Sequence, residues 1–166
     1  MDTVYIETSI VSHASARSSQ NPTTVALQEQ ARCWLDEQGP QYDVVTSQLV
    51  IDEAGVGDPD AVARRLKMLD GIPVLPENPD ADVVADEIIR RHLMPPAARF
   101  DALHVAIAAS AGVQYLLTLN CKHIANAREL PRVYQLLDGL GLSGVLICTP
   151  IEFLGEDNDD AERNTR

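Results

Sequence analysis

Three acids stand at separate junctions of this sequence: Glu7 in YIETSIV (5–11), Glu53 in SQLVIDEAG (47–55) and Asp101 in FDALHVAIAASAG (100–112). A fourth oxygen-bearing side chain, Asn120, closes YLLTLN (115–120). Glutamate is a weak strand former and is costly to remove from water, so an acid directly after a short apolar strand calls for a partner charge or a cation. If Glu7, Glu53 and Asp101 meet, two of their charges about 4 Å apart repel by roughly 4 kcal/mol at an effective dielectric near 20. Such a group either takes up protons or holds a cation. Carboxylates with an amide carbonyl are hard oxygen ligands, suited to Mg²⁺ or Mn²⁺ rather than Zn²⁺. An ion of that kind lowers the pKa of a bound water, orients it for in-line attack on a phosphodiester and neutralises the charge that develops.

Each residue also has an ordinary reading. Glu7 marks the point where a strand leaves the core, and Glu53, beside Asp52, lies on a solvated helix face. Asp101 is a first-turn acid favoured by the helix dipole, and Asn120 is turn chemistry. His104, three residues after Asp101 on the same face, reads as a satisfied structural histidine. Their order along the chain carries more than any one of them.

The elements that would position them alternate. Strands are expected at VYI (4–6), YDVVTS (42–47), IPVL (72–75), VQYLLTLN (113–120) and GVLICTP (144–150). Helices are expected between them: over 21–39 with Thr23 or Thr24 as cap, from Ser47, from Asp58 and Pro59 to Gly71, over 78–93 with Val83, Val84, Ile88 and Ile89 facing inward, over 95–112, and over 127–141. This alternation predicts an α/β fold with a central, mostly parallel five-stranded sheet and helices on both faces. In such sheets, sites form at the carboxyl ends of strands where the strand order reverses, which is where Glu7 and Asn120 fall.

The chain has 166 residues, 45% of them hydrophobic, and no apolar run near the roughly 18 to 20 residues of a membrane span, so one domain over 1–155 with no membrane association is expected. The first residues carry no export signal, and a cytoplasmic location is expected. Cys33, Cys121 and Cys148 are far apart and outside any C-x-x-C pair, which argues against a disulfide framework or a thiolate zinc site. The net charge is -12, with 13 Lys and Arg against 25 Asp and Glu. The segment 156–166, an acidic tail expected to be disordered, accounts for only -3 of it. A body this acidic is a poor general binder of nucleic acid, so any RNA phosphate must be met locally or through a cation. Arg64, Arg65, Lys67, Lys122, His123 and Arg128 are the basic candidates, with only Lys122 and His123 near the site.

The succession YIETSIV, SQLVIDEAGVGDP, FDALHVAIAASAG and YLLTLNCKHIANA resembles the PIN-domain family of metal-dependent ribonucleases, in particular the toxin nucleases of VapBC-type toxin-antitoxin pairs. The likeness spans residues 4 to about 150. It implies a three-layer PIN-like fold and an endoribonuclease that uses Mg²⁺ or Mn²⁺. It also implies that Glu7, Glu53, Asp101 and Asn120 are the metal and catalytic residues, with Thr8, Ser9 and Thr118 as hydroxyls that orient them. RNA as substrate, a small antitoxin protein and a homodimer follow from the same resemblance. The chain departs from the family in having Glu7 and Asn120 where Asp is usual. Glutamate keeps the charge, whereas Asn120 removes one, which favours one tightly held ion over two. The rival expectation is a PIN-fold module that binds RNA or an antitoxin peptide without cutting. An aspartyl phosphotransfer domain is weaker, since Glu7 stands where its nucleophile would be.

Overall fold

A computed structural model describes residues 1–153. Four short strands, β1 (Thr3–Ile6), β2 (Asp43–Val45), β3 (Tyr115–Leu117) and β4 (Leu146–Cys148), form one sheet in the order β2-β1-β3-β4. Every pairing is parallel, with Val4 opposite Val44 on one side and Tyr115 on the other, and Tyr115 opposite Leu146. Between the strands run α1 (Thr8–Ser15), α2 (Pro22–Cys33), α3 (Gln48–Ala54), α4 (Pro59–Leu69), α5 (Pro79–Arg90), α6 (Arg99–Ala111) and α7 (Leu130–Gly139).

The expected fifth strand does not form. Over 72–75 the chain makes a single parallel bridge, Thr46 to Val74, with Thr46 N donating to Pro73 O and Leu75 N donating to Thr46 O. Pro73 has no N–H for the rung before this bridge, and after it the partner chain turns at Ser47 into α3, so the ladder extends in neither direction. The sheet therefore has four strands.

Two further expectations are corrected. Asn21, not Thr23 or Thr24, caps α2, its Oδ1 accepting from both of those backbone N–H groups at 2.9 and 3.3 Å. Pro22 then occupies the first helical turn, where a missing N–H does no harm. Val83 is 68% exposed, and α5 instead buries Ala81, Val84, Ala85 and Ile88, the i, i+3, i+4, i+7 stripe of a helix face. The sequence from Trp34 to Gln38 continues α2 as a π-helical turn before Gly39. The tail expected over 156–166 lies outside the described residues.

The core is continuous from sheet to helices: Val4, Tyr5, Ile6, Leu116 and Leu117 are fully buried, as are Ile10 and Val11 of α1 and Ala102, Val105, Ala106 and Ala108 of α6. The small residues of α6 allow a helix to run close under the sheet, and Gly112, at φ 68°, ends it in the left-handed conformation that a side chain would resist. β1 is flanked on both sides, by β2 reached first along the chain and by β3 reached later. The order therefore reverses between β1 and β3, and their carboxyl ends frame the crevice in which α/β sites form. Among the described residues no helix is long and apolar enough to cross a membrane.

Candidate functional site

Glu7 follows Ile6 with no intervening loop, and its backbone N–H donates to Leu117 O at 3.0 Å, adding one rung to the β1–β3 ladder. The same residue caps α1: Ser9 N donates to Glu7 Oε1 at 3.1 Å. The side chain is 5% exposed. Its other oxygen, Oε2, accepts from the hydroxyls of Ser9 and Thr118, the second at 2.7 Å. Thr118 follows β3 as Glu7 follows β1, so two strand ends are joined through one carboxylate. Among the described residues no cationic side chain pairs with Glu7.

Glu53 projects from α3, whose start is fixed by Ser47 Oγ accepting from Val50 N. Its Oε1 accepts from Thr8 Oγ1 at 2.7 Å and from His104 Nε2 at 2.5 Å. Burial pushes the Glu53 carboxyl up, but the hydrogen bond from His104, electrostatic attraction to the same ring and the hydrogen bond from Thr8 together outweigh it and hold the group below its ordinary value. Thr8 thus ties Glu53 to the residue next to Glu7. His104 is fully buried, and its Nδ1 is 2.7 Å from Tyr5 Oη.

Asp101 lies in the first turn of α6, and its Oδ2 accepts from His123 Nδ1 at 2.8 Å. His123 N in turn donates to Asn120 Oδ1 at 3.1 Å, and Asn120 N donates to Thr118 Oγ1 at 2.9 Å. A single run of hydrogen bonds therefore leads from Asp101 through His123, Asn120 and Thr118 to Glu7. The four residues expected at the site are thus hydrogen-bonded to Thr8, Ser9, Thr118, His104 and His123 or to one another through them.

The structure also shows what the sequence did not. His123, expected to face RNA, is paired with Asp101, and the Asn120 amide oxygen serves the turn that presents it. Tyr5 and Ser47 stand behind His104 as a buried polar pair, 2.8 Å apart. The one sequence signal for Tyr5 was a hydroxyl placed between Val4 and Ile6 on a central strand, where it needs a partner. Lys122 is exposed beside the site. Arg64 and Arg65 are committed elsewhere, donating to Ser15 O and to Ala54 O and Val56 O.

The donor set fits a hard divalent cation in kind: three carboxylates, two of which keep one oxygen, Glu53 Oε2 and Asp101 Oδ1, that accepts no hydrogen bond among the described residues. Among the described residues no three His, Cys, Asp or Glu are gathered at ion-ligating spacing. Each carboxylate is instead turned to its own donors. Comparison with protein-family models, with curated proteins and with solved structures finds no match in any of the three.

Proposed function

We propose that this chain is a PIN-like, Mg²⁺- or Mn²⁺-dependent endoribonuclease, the toxin of a type II toxin-antitoxin pair or a close relative. The observation that carries the reading is the run of hydrogen bonds from Asp101 to Glu7 at the crevice between β1 and β3, with Glu53 bonded to Thr8, the residue that follows Glu7. In an acidic chain, an acid at the end of β1 with no cationic side chain paired to it among the described residues, and with Glu53 and Asp101 tied to its neighbours, suits a metal better than a phosphate.

Glu7, Glu53 and Asp101 would hold the ion. The chemistry Mg²⁺ or Mn²⁺ supplies in such a setting is activation of a water for in-line attack and neutralisation of charge gathering on the phosphate. Ser9 and Thr118 keep Glu7 from rotating, His104 and Thr8 do the same for Glu53, and His123 holds Asp101. Asn120 acts through the turn that sets His123, and Lys122 offers a charge to the RNA backbone. The acidic surface suits a basic antitoxin segment, and a homodimer is part of the same reading; light scattering that finds only monomer at micromolar concentration would remove the dimer.

The test is cleavage of several single-stranded RNAs by the purified full chain with Mn²⁺ or Mg²⁺, with EDTA, and with Asp101→Asn prepared in parallel. The expected products carry 5′-phosphates, because water adds to phosphorus without the 2′-hydroxyl, and they vanish in EDTA and in the variant. Cleavage that persists in either would overturn the assignment. RNA binding without cleavage would favour the binding module, for which the commitment of the Asn120 amide to its turn already speaks.

A further inference from the structure

The sequence is poor in aromatic residues, yet four of its seven Trp, Tyr and Phe side chains meet in one place. Phe153 meets Tyr115, Tyr42 and Trp34 edge to face, with ring centroids 5.1, 5.5 and 5.7 Å away, and Tyr42 lies 6.1 Å from Tyr115. Trp34 is fully buried and stacked on Tyr42, which closes the back of the group. Tyr42, Tyr115 and Phe153 are only partly buried, and together they line an open cavity of about 310 Å³. That volume lies at the lower end of the roughly 300 to 1,000 Å³ of small-ligand sites.

The strand register separates this cavity from the acids. Tyr5 pairs with Leu116 and points its hydroxyl at His104 of α6, and side chains alternate along a strand, so Tyr115 stands on the opposite face of the sheet, with Leu146 and Cys148. None of Glu7, Glu53, Asp101 and Asn120 lines the cavity.

The walls select the occupant by charge and by shape. Among the described residues Glu152 is the one charged residue that lines the cavity, and no basic side chain pairs with it. Its Oε2 accepts from Thr149 N at 2.6 Å, while Oε1 accepts no hydrogen bond among the described residues. Aromatic faces attract a cation within about 6 Å of the ring centroid, so three rings and a carboxylate favour a positive group. The three ring planes meet at 71° to 83°, and no two are parallel. A flat guanidinium is best served by parallel faces, whereas a compact ammonium with alkyl groups presents the same apolar, positive surface to rings at any angle.

We propose that the cavity binds an alkylated ammonium group, the chemistry of choline or of a trimethylated lysine side chain, with Tyr42, Tyr115 and Phe153 as its aromatic walls and Glu152 as its counter-charge. The site shares no residue with the proposed metal ligands and stands independently of the function proposed above.

The test titrates the ¹⁵N-labelled full chain with choline and, in parallel, with 3,3-dimethylbutan-1-ol, which has the same shape without the charge. Choline should produce saturable shifts in the amide signals of Tyr115, Glu152 and Phe153 and bind at least about fivefold more tightly than the alcohol. Glu152→Gln and Phe153→Leu should each narrow that preference. A peptide carrying one trimethyllysine, titrated in the same way, distinguishes the sources: binding tighter than that of choline assigns the group to a partner chain, binding no tighter assigns it to a free small ammonium, and either result supports the site. Equal affinity for choline and the alcohol, no saturable shift with choline, shifts confined to the crevice between β1 and β3, or tighter binding of methylguanidinium than of choline would overturn the proposal. Each of these outcomes is read on the native chain and needs no variant to fold.

Discussion

Thr118 Oγ1 donates to Glu7 Oε2 across 2.7 Å, although the two residues are 111 positions apart in sequence. The bond joins the carboxyl ends of adjacent parallel strands, and with Ser9 it leaves a nearly buried carboxylate held by hydroxyl and amide donors alone. An acid in that setting is fixed before any ligand arrives, and its position reports whether β1 and β3 are in register.

Removing the hydroxyl tests that bond. Thr118→Val preserves shape but leaves a buried carboxylate short of a donor, and is expected to cost about 1–3 kcal/mol in urea unfolding near pH 7. Thr118→Ser should stay close to the native chain. An unchanged midpoint for the valine variant would show that Glu7 does not depend on Thr118.

The orientation of α5 makes a separate prediction. Ile88 is 0% exposed and Val83 is 68% exposed. Ile88→Ala should cost about 2–5 kcal/mol, and Val83→Ala no more than about 0.5 kcal/mol either way. Comparable losses at the two sites in thermal or urea unfolding would mean that α5 is rotated.

The cysteines differ in reactivity. Burial, with the charge of Glu152 adding to it, pushes the Cys148 thiol up to about 12 from an ordinary 9.0, and its Sγ donates to Leu116 O. Cys121 is exposed. At pH 8 an alkylating reagent should therefore modify Cys121 well before Cys148, as mass spectrometry of the peptides would show. Because folding raises the Cys148 pKa, its contribution to stability is present below pH 9 and is lost as the pH rises toward 12. Equal labelling of the two at pH 8 would show that β4 opens freely.

Much of this arrangement was legible from residue types. The strand at Val4–Ile6, the cap at Ser47, the opening of α4 by Asp58 and Pro59, and the all-round apolar character of α6 follow from propensity, capping and periodicity. The short helix α1 was not, because Glu7 plays both site acid and N-cap and the helix then runs through Thr8, Ser9, Ser12 and His13, which read as a polar stretch. The segment 72–75 has the composition of a strand, but Pro73 removes one N–H and the chain opposite enters α3 just after Thr46, so a single bridge is all that forms. Val83 and Val84 are adjacent on α5, and which neighbour joins Val84 on the buried face, Val83 or Ala85, depends on where α6 packs. The convergence of Glu7 and Asn120 was readable from the sheet rule, but the pairing of His123 with Asp101 joins side chains 22 residues apart, and no spacing rule reaches it.

The most direct measurement is calorimetric titration of the full chain with Mn²⁺ alongside Glu7→Gln, Glu53→Gln and Asp101→Asn. Each substitution keeps shape and removes one negative charge from the proposed ligand set. The account predicts saturable binding to the native chain and at least about tenfold weaker binding in each variant, equivalent to about 1.4 kcal/mol. Binding of equal strength in the native chain and all three variants, or no binding to a folded native chain, would contradict it.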